Sequence, residues 1–192
     1  MNGAVIFDLD GTLTRPFLDF DAIRAELGLP PGPILEAMSR MTGPDRRRAE
    51  AVLYEHERRA ADHAELQPGA CETIDHLRGR GIPVAILTRN SRISAVTVLD
   101  RFAIRVDAIR TREDGVVKPS PEPVLALCRT LAVDPRASWM VGDYLFDIQA
   151  GRAAGATTVL LQVADAPPSF AGEADHVIRS LPEVLDLVDG AG

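Results

Sequence analysis

Lysine is nearly missing from this sequence. Of its 21 basic residues only Lys118 is a lysine, and the rest are arginines. Cysteine is scarce as well. Cys71 and Cys128 are far apart and neither belongs to a CxxC pair, which excludes a disulfide framework and a cysteine-based metal site and predicts two free, buried thiols in a reducing cytoplasm. No apolar run approaches the ~18 residues of a membrane span. The opening MNGAVIFDLDG has no basic stretch ahead of its apolar run and meets Asp8 and Asp10 at once, so it does not read as a secretory leader. A basic excess is absent too: 28 acidic residues against 21 basic ones give a net charge of −7, which argues against a nucleic-acid-binding face. The expectation is a cytoplasmic protein without nucleic-acid or membrane partners.

What is present suits one compact folded unit. The chain has 192 residues, 46% of them apolar and 26% charged, close to the averages for globular proteins. Short apolar runs rich in Val, Ile and Leu fall at 4–9, 84–88, 106–110, 138–142 and 157–163, with 176–178 as a possible edge strand. They do not alternate with polar residues, so they read as strands buried on both faces of a parallel sheet. Helical patterns at 72–79, 91–102, 121–131 and 144–154 lie between them, with Ser91 as a plausible N-cap and Gly155 as a stop. Alternating strands and helices predict βαβ units, hence a three-layer, doubly wound α/β fold with a mainly parallel sheet. Residues 16–68 break the alternation. They carry no strand signal and read as three helices at 19–27, 33–41 and 45–66. The predicted division is an α/β core of residues 1–15 and 69–192 with a small all-helical insertion at 16–68.

Ligands of open α/β sheets bind beyond the carboxyl ends of the strands. Asp8, Asp10, Gly11 and Thr12 follow the first strand, Thr88, Arg89 and Asn90 the second, Lys118-Pro119 the third, and Gly142, Asp143 and Asp147 the fourth. The lone lysine therefore belongs to a set of polar groups at four consecutive strand ends. A compact ammonium is what arginine cannot imitate, which gives its survival in an arginine-rich chain a reason. Asp8, Asp143 and Asp147 would crowd negative charge together, and a hard divalent cation relieves such repulsion. Carboxylates, Mg²⁺, a hydroxyl and a lysine fit phosphoryl transfer: one of the first pair of aspartates as nucleophile, the other as general acid and base.

DLDGTLT at 8–14, Thr88 after VAIL, Lys118-Pro119 and GDYLFD at 142–147 resemble, in order, the four motifs of the haloacid dehalogenase (HAD) superfamily. The resemblance spans Val5 to Asp147 and implies a Rossmann-like core with the insertion as a helical cap, in a layout most similar to phosphoglycolate phosphatase-like hydrolases. It implies Asp8 as the nucleophile that forms an aspartyl-phosphate and Asp10 as the group that protonates the leaving oxygen and then activates water. It implies Thr88 and Lys118 as phosphate binders. Asp8, the backbone carbonyl of Asp10 and Asp143 would be Mg²⁺ ligands, with Asp147 a ligand or close neighbour. Asn90 is a further candidate for the phosphate. The expected enzyme is a Mg²⁺-dependent phosphatase acting on a small phosphate ester, as a monomer or homodimer. A phosphomutase of the beta-phosphoglucomutase type would share the same intermediate. A non-catalytic binding relative would have lost Asp8 or Lys118. The chain departs from the phosphoglycolate phosphatase-like pattern at Arg15-Pro16, where an acidic residue and a serine are usual, and its cap is short, so the substrate stays open.

Other conspicuous residues have plainer readings. His56 and His63, seven apart, share a helix face without enough neighbours for a metal site. Trp139 reads as core, and Glu113 and Asp114 as loop charges. Arg46-Arg47-Arg48 and Arg58-Arg59 read as a solvated surface. The rival is that one of them, or Arg40, faces the site and selects a substrate with a second anionic group.

Overall fold

The computed structural model describes residues 3–190. Six strands form one wholly parallel sheet in the order β3-β2-β1-β4-β5-β6. The strands are β1 (Val5–Phe7), β2 (Val84–Leu87), β3 (Ala108–Arg110), β4 (Trp139–Gly142), β5 (Thr157–Leu161) and β6 (His176–Ile178). Val5 pairs with Val84 on one side and with Trp139 on the other, so β1 is central. The chain moves outward from β1 to β3, then returns to β4 and builds the other half. The reversal between β1 and β4 is the topological switch at which open α/β sheets form a crevice.

Neighbouring residues of each strand serve opposite faces. Val5 and Phe7 join Val84, Ile86 and Val141 in a core closed by α4 (Ala70–Gly79), α5 (Arg92–Arg101) and α8 (Glu183–Gly190). Ile6, Ala85 and Met140 face the other way, against α6 (Glu122–Leu131) and α7 (Leu145–Ala154). Burial on both sides accounts for the unalternating apolar runs. β3, at the edge, is only half-buried and shorter than the run at 106–110 predicts. Trp139 opens β4 and is buried, as expected of core. Of the two free cysteines, Cys128 is buried but Cys71 is half-buried, a correction to the expectation of two buried thiols. α8 has no counterpart in the sequence reading, although Val184 and Val188 sit four apart and both are buried.

Residues between β1 and α4 form α1 (Phe20–Leu27), α2 (Ile34–Ser39) and α3 (Gly43–His63). Asp19 caps α1 by accepting from the Ala22 amide at 2.9 Å, and Gly28 ends it in the left-handed region. The three helices have their own small core of Ile23, Ile34, Met38, Ala49 and Leu53. α3 stops at His63, three residues before the predicted end, because the chain there turns to pair with the outgoing segment. Arg15 N donates to Glu65 O at 2.8 Å, and Gln67 N to Leu13 O at 2.9 Å. The insertion thus leaves and re-enters through two hydrogen-bonded segments beside the end of β1. Among the described residues, no helix is long and apolar enough to cross a membrane.

α3 is anchored by a buried charge. Glu57 is 2% exposed, accepts from the Ser91 amide at 3.1 Å and pairs with the Arg112 guanidinium. Its backbone carbonyl also accepts from Ser94 Oγ at 3.2 Å. Glu57→Ala leaves both a buried amide and an arginine without their acceptor. The expected cost is about 3 kcal/mol of unfolding free energy, measured by urea denaturation at constant slope.

Candidate active site

β1, β2 and β4 all end at the crevice, and each delivers polar groups into it. β1 continues into Asp8, whose amide donates to Val141 O at 2.9 Å and so locks the start of the loop against β4. Gly11 follows with φ +83°, and a Cβ there would lie 2.2 Å from Asp143 Oδ2. The loop needs glycine for both its backbone conformation and the close approach of Asp143. Thr12 Oγ1 donates to Asp143 Oδ1 at 3.1 Å, which orients that carboxylate. Gly142, the last residue of β4, shares only the close approach: a Cβ would meet Asp147 Cγ at 2.2 Å. Asp147 is placed by α7, where its carboxylate accepts from the Tyr144 amide at 3.1 Å.

Lys118 joins these loops. It is 2% exposed, and its ammonium has three protein acceptors: Leu87 O at 2.8 Å, Asp8 Oδ1 at 2.8 Å and Asp147 Oδ1 at 2.5 Å. It donates hydrogen bonds to Leu87 O and Asp147 Oδ1, and its contact with Asp8 is an ion pair. Burial disfavours its charge, but Asp147 and Asp8 outweigh that effect and hold its pKa above the ordinary value.

Asp8, Asp143 and Asp147 each offer an oxygen within 4.8 Å of the others. One lysine does not neutralise three carboxylates. Burial, then repulsion from Asp8 and Asp147, pushes the Asp143 carboxyl up to about 8. Burial raises Asp147 to about 6 against the pull of Lys118. An all-oxygen donor set with unrelieved negative charge suits a hard divalent cation. The Asp10 carboxylate stands outside this cluster. It accepts from the Phe17 amide at 3.2 Å, in the segment that leads to the insertion, and burial and Asp8 raise its pKa to about 7.

Thr88 and Asn90 both line the crevice beside Asp8, Asp10 and Lys118. Thr88 is buried and its Oγ1 accepts from the Asn90 amide at 3.1 Å. Every site residue expected from sequence therefore borders one cleft of about 520 Å³. The histidines do not. His56 pairs with Glu26 at 2.9 Å and His63 bonds to the Arg59 carbonyl. Glu113 and Asp114 are more than loop charges, since Glu113 accepts from the Arg92 amide at 2.9 Å and Asp114 pairs with the Arg92 guanidinium.

The arginines of the cleft are not those singled out in the sequence. Arg46, Arg58 and Arg59 pair with acidic neighbours on α3, and neither they nor Arg40, Arg47 and Arg48 line the cleft. Arg24 and Arg89 do. Arg89 donates to the Lys118 carbonyl at 2.8 Å, holds both oxygens of Glu36 on α2 at 2.8 and 2.7 Å, and stacks 4.7 Å above the Phe146 ring. Its position between Thr88 and Asn90, one residue past the expected strand end, was the signal available for it. Glu57 also reaches the cleft, and nothing in its helical surroundings marked it.

A family model for haloacid dehalogenase-like hydrolases matches residues 3–155. A haloacid dehalogenase-like hydrolase domain-containing protein of Arabidopsis thaliana is 31% identical over 96% of this chain and 83% of its own length. A phosphoglycolate phosphatase of Chromobacterium violaceum is 30% identical over 96% of each chain. The crystal structure of a hydrolase from Pseudomonas syringae superposes with a TM-score of 0.81 at 23% identity, covering 98% of both chains, and shares the α/β fold. The chain belongs to the haloacid dehalogenase-like hydrolases, among relatives named as phosphatases, and is an enzyme of that class.

Proposed function

We propose that this hydrolase is a Mg²⁺-dependent phosphatase that cleaves a small phosphate monoester through an aspartyl-phosphate on Asp8. The observation that carries the reading is the Lys118 ammonium held between Asp8 and Asp147. This contact fixes one oxygen of Asp8 and leaves the carboxylate's other oxygen for attack. Asp8, Asp143 and Asp147, with the backbone carbonyl of Asp10, would hold Mg²⁺. When bound, the ion would neutralise carboxylate and phosphate charge, lowering the repulsion between nucleophile and substrate.

The steps follow from the residues. Asp8 forms a P–O bond as the bond to the leaving oxygen breaks. Asp10, whose carboxyl is raised to about 7, gives its proton to that oxygen. Water then attacks phosphorus, Asp10 takes back a proton, and the P–O bond to Asp8 breaks to release inorganic phosphate. Lys118 offsets the charge of the phosphoryl oxygens. The Thr88 hydroxyl, an acceptor toward Asn90, keeps its own proton to donate to them. Asn90 lines the cleft beside Thr88 and stands ready to add a contact. In this reading residues 1–15 and 69–192 perform the chemistry, and 16–68 act as a cap that excludes water and contacts the leaving group.

Three outcomes are expected. Asp8→Ala abolishes phosphate release from an aryl phosphate because no covalent route remains. Retention of more than a few per cent of wild-type turnover contradicts the assignment, and return of the phosphoryl group to a sugar instead of water would identify a mutase. Mg²⁺ raises the melting temperature of the wild-type protein, a chelator ends turnover, and Asp143→Asn loses the thermal response. Lys118→Arg keeps the charge but cannot satisfy three converging acceptors, so kcat/KM falls at least roughly 10²-fold. Near-normal kinetics would show that only charge is required there.

A further inference from the structure

We infer that the cleft selects a phosphate monoester with an uncharged, apolar or ring-shaped leaving group, and discriminates against esters that carry a second anionic group. This rests on the phosphatase reading of the same site. Three basic residues line the cleft, and each is already engaged. Lys118 has its three acceptors. Arg24 pairs with Asp21 at 2.5 Å and donates to the Gly32 carbonyl at 3.3 Å. Arg89 is committed to Glu36, the Lys118 carbonyl and the Phe146 ring. An anionic group on the substrate would meet guanidinium charges that Asp21 and Glu36 already offset, and would lie beside those carboxylates. Glu57, a further lining residue, adds negative charge, and its own partner is Arg112.

Apart from the aspartates, Thr88 and Asn90 of the phosphate end, the rest of the cleft wall is largely apolar. Leu18, Phe20, Ile34 and Leu35 contribute from the insertion, Leu53 from α3 and Phe146 from α7. Phe20 is 48% exposed and Tyr144, also on the wall, 53%, so both leave aromatic surface open to the cleft. The Tyr144 ring meets Phe146 edge-on with centroids 5.1 Å apart. A volume of about 520 Å³ falls in the roughly 300–1,000 Å³ range of clefts that hold drug-sized ligands. A phosphate joined to a two-carbon acid would leave most of that wall untouched. The surface bordering the phosphate end is thus charge-paired and greasy, and it complements an uncharged ring.

A matched pair of esters tests this: phenyl phosphate and 4-carboxyphenyl phosphate, which differ by one carboxylate. With Mg²⁺ the wild-type protein is expected to favour phenyl phosphate in kcat/KM by at least about tenfold, as juxtaposed like charge implies. Glu36→Gln frees one face of the Arg89 guanidinium at a half-exposed position and is expected to erase or reverse that preference. The corresponding phosphonates, which cannot be hydrolysed, supply a binding readout by calorimetry. Equal or better use of the carboxylated ester by the wild type, or an unchanged ratio in Glu36→Gln, overturns the inference. A phosphonate binding preference without turnover of either ester overturns the phosphatase reading and supports the selectivity.

Discussion

A lysine ammonium buried between two carboxylates organises the carboxyl end of this sheet. Lys118 reaches Asp8 beyond β1, Asp147 on α7 and the Leu87 carbonyl at the end of β2, so one side chain ties three elements to a common point. Such a group is costly to bury and stays charged only because its partners surround it. The surrounding residues serve that arrangement. Gly11 and Gly142 are bare because a Cβ at either would collide with Asp143 or Asp147. Thr12 turns Asp143, the Tyr144 amide holds Asp147, and Arg89 grips the Lys118 carbonyl.

The arrangement leaves an imbalance. Three carboxylates share one ammonium, and burial first, with repulsion between the carboxylates second, raises the pKa values of Asp143 and Asp147. In the proposed reading a divalent cation would offset this charge when substrate phosphate enters. Asp10 stands apart from the three, and its carboxylate is tied to Phe17 at the start of the insertion.

Much of this was legible in the sequence, for identifiable reasons. Strands buried on both faces leave unbroken apolar runs, and polar residues at their ends mark the crevice. The solitary Lys118 was visible because arginine had replaced lysine everywhere else. What escaped notice depends on contacts between distant segments. Glu57 looks like any acidic residue on a charged helix until the fold brings Arg112, 55 residues away, against it. The arginine runs of α3 stay out of the cleft, as a solvated surface requires, whereas Arg89, at the expected strand end, and Arg24, which nothing in the sequence marked, reach it. α8 was passed over because its apolar spacing is short, although Ser180-Leu-Pro-Glu183 ahead of it is a helix-start signal. Its burial comes from packing on α4 and the sheet.

The claim that this charge cluster activates Asp8 for covalent phosphoryl transfer is tested most directly by trapping the intermediate. The Mg²⁺-loaded enzyme is mixed with a ³²P-labelled aryl phosphate, quenched in acid during turnover and digested. The account requires hydroxylamine-labile label on the peptide bearing Asp8. Turnover with no protein-bound label at any time point, or label on a different residue, would contradict it.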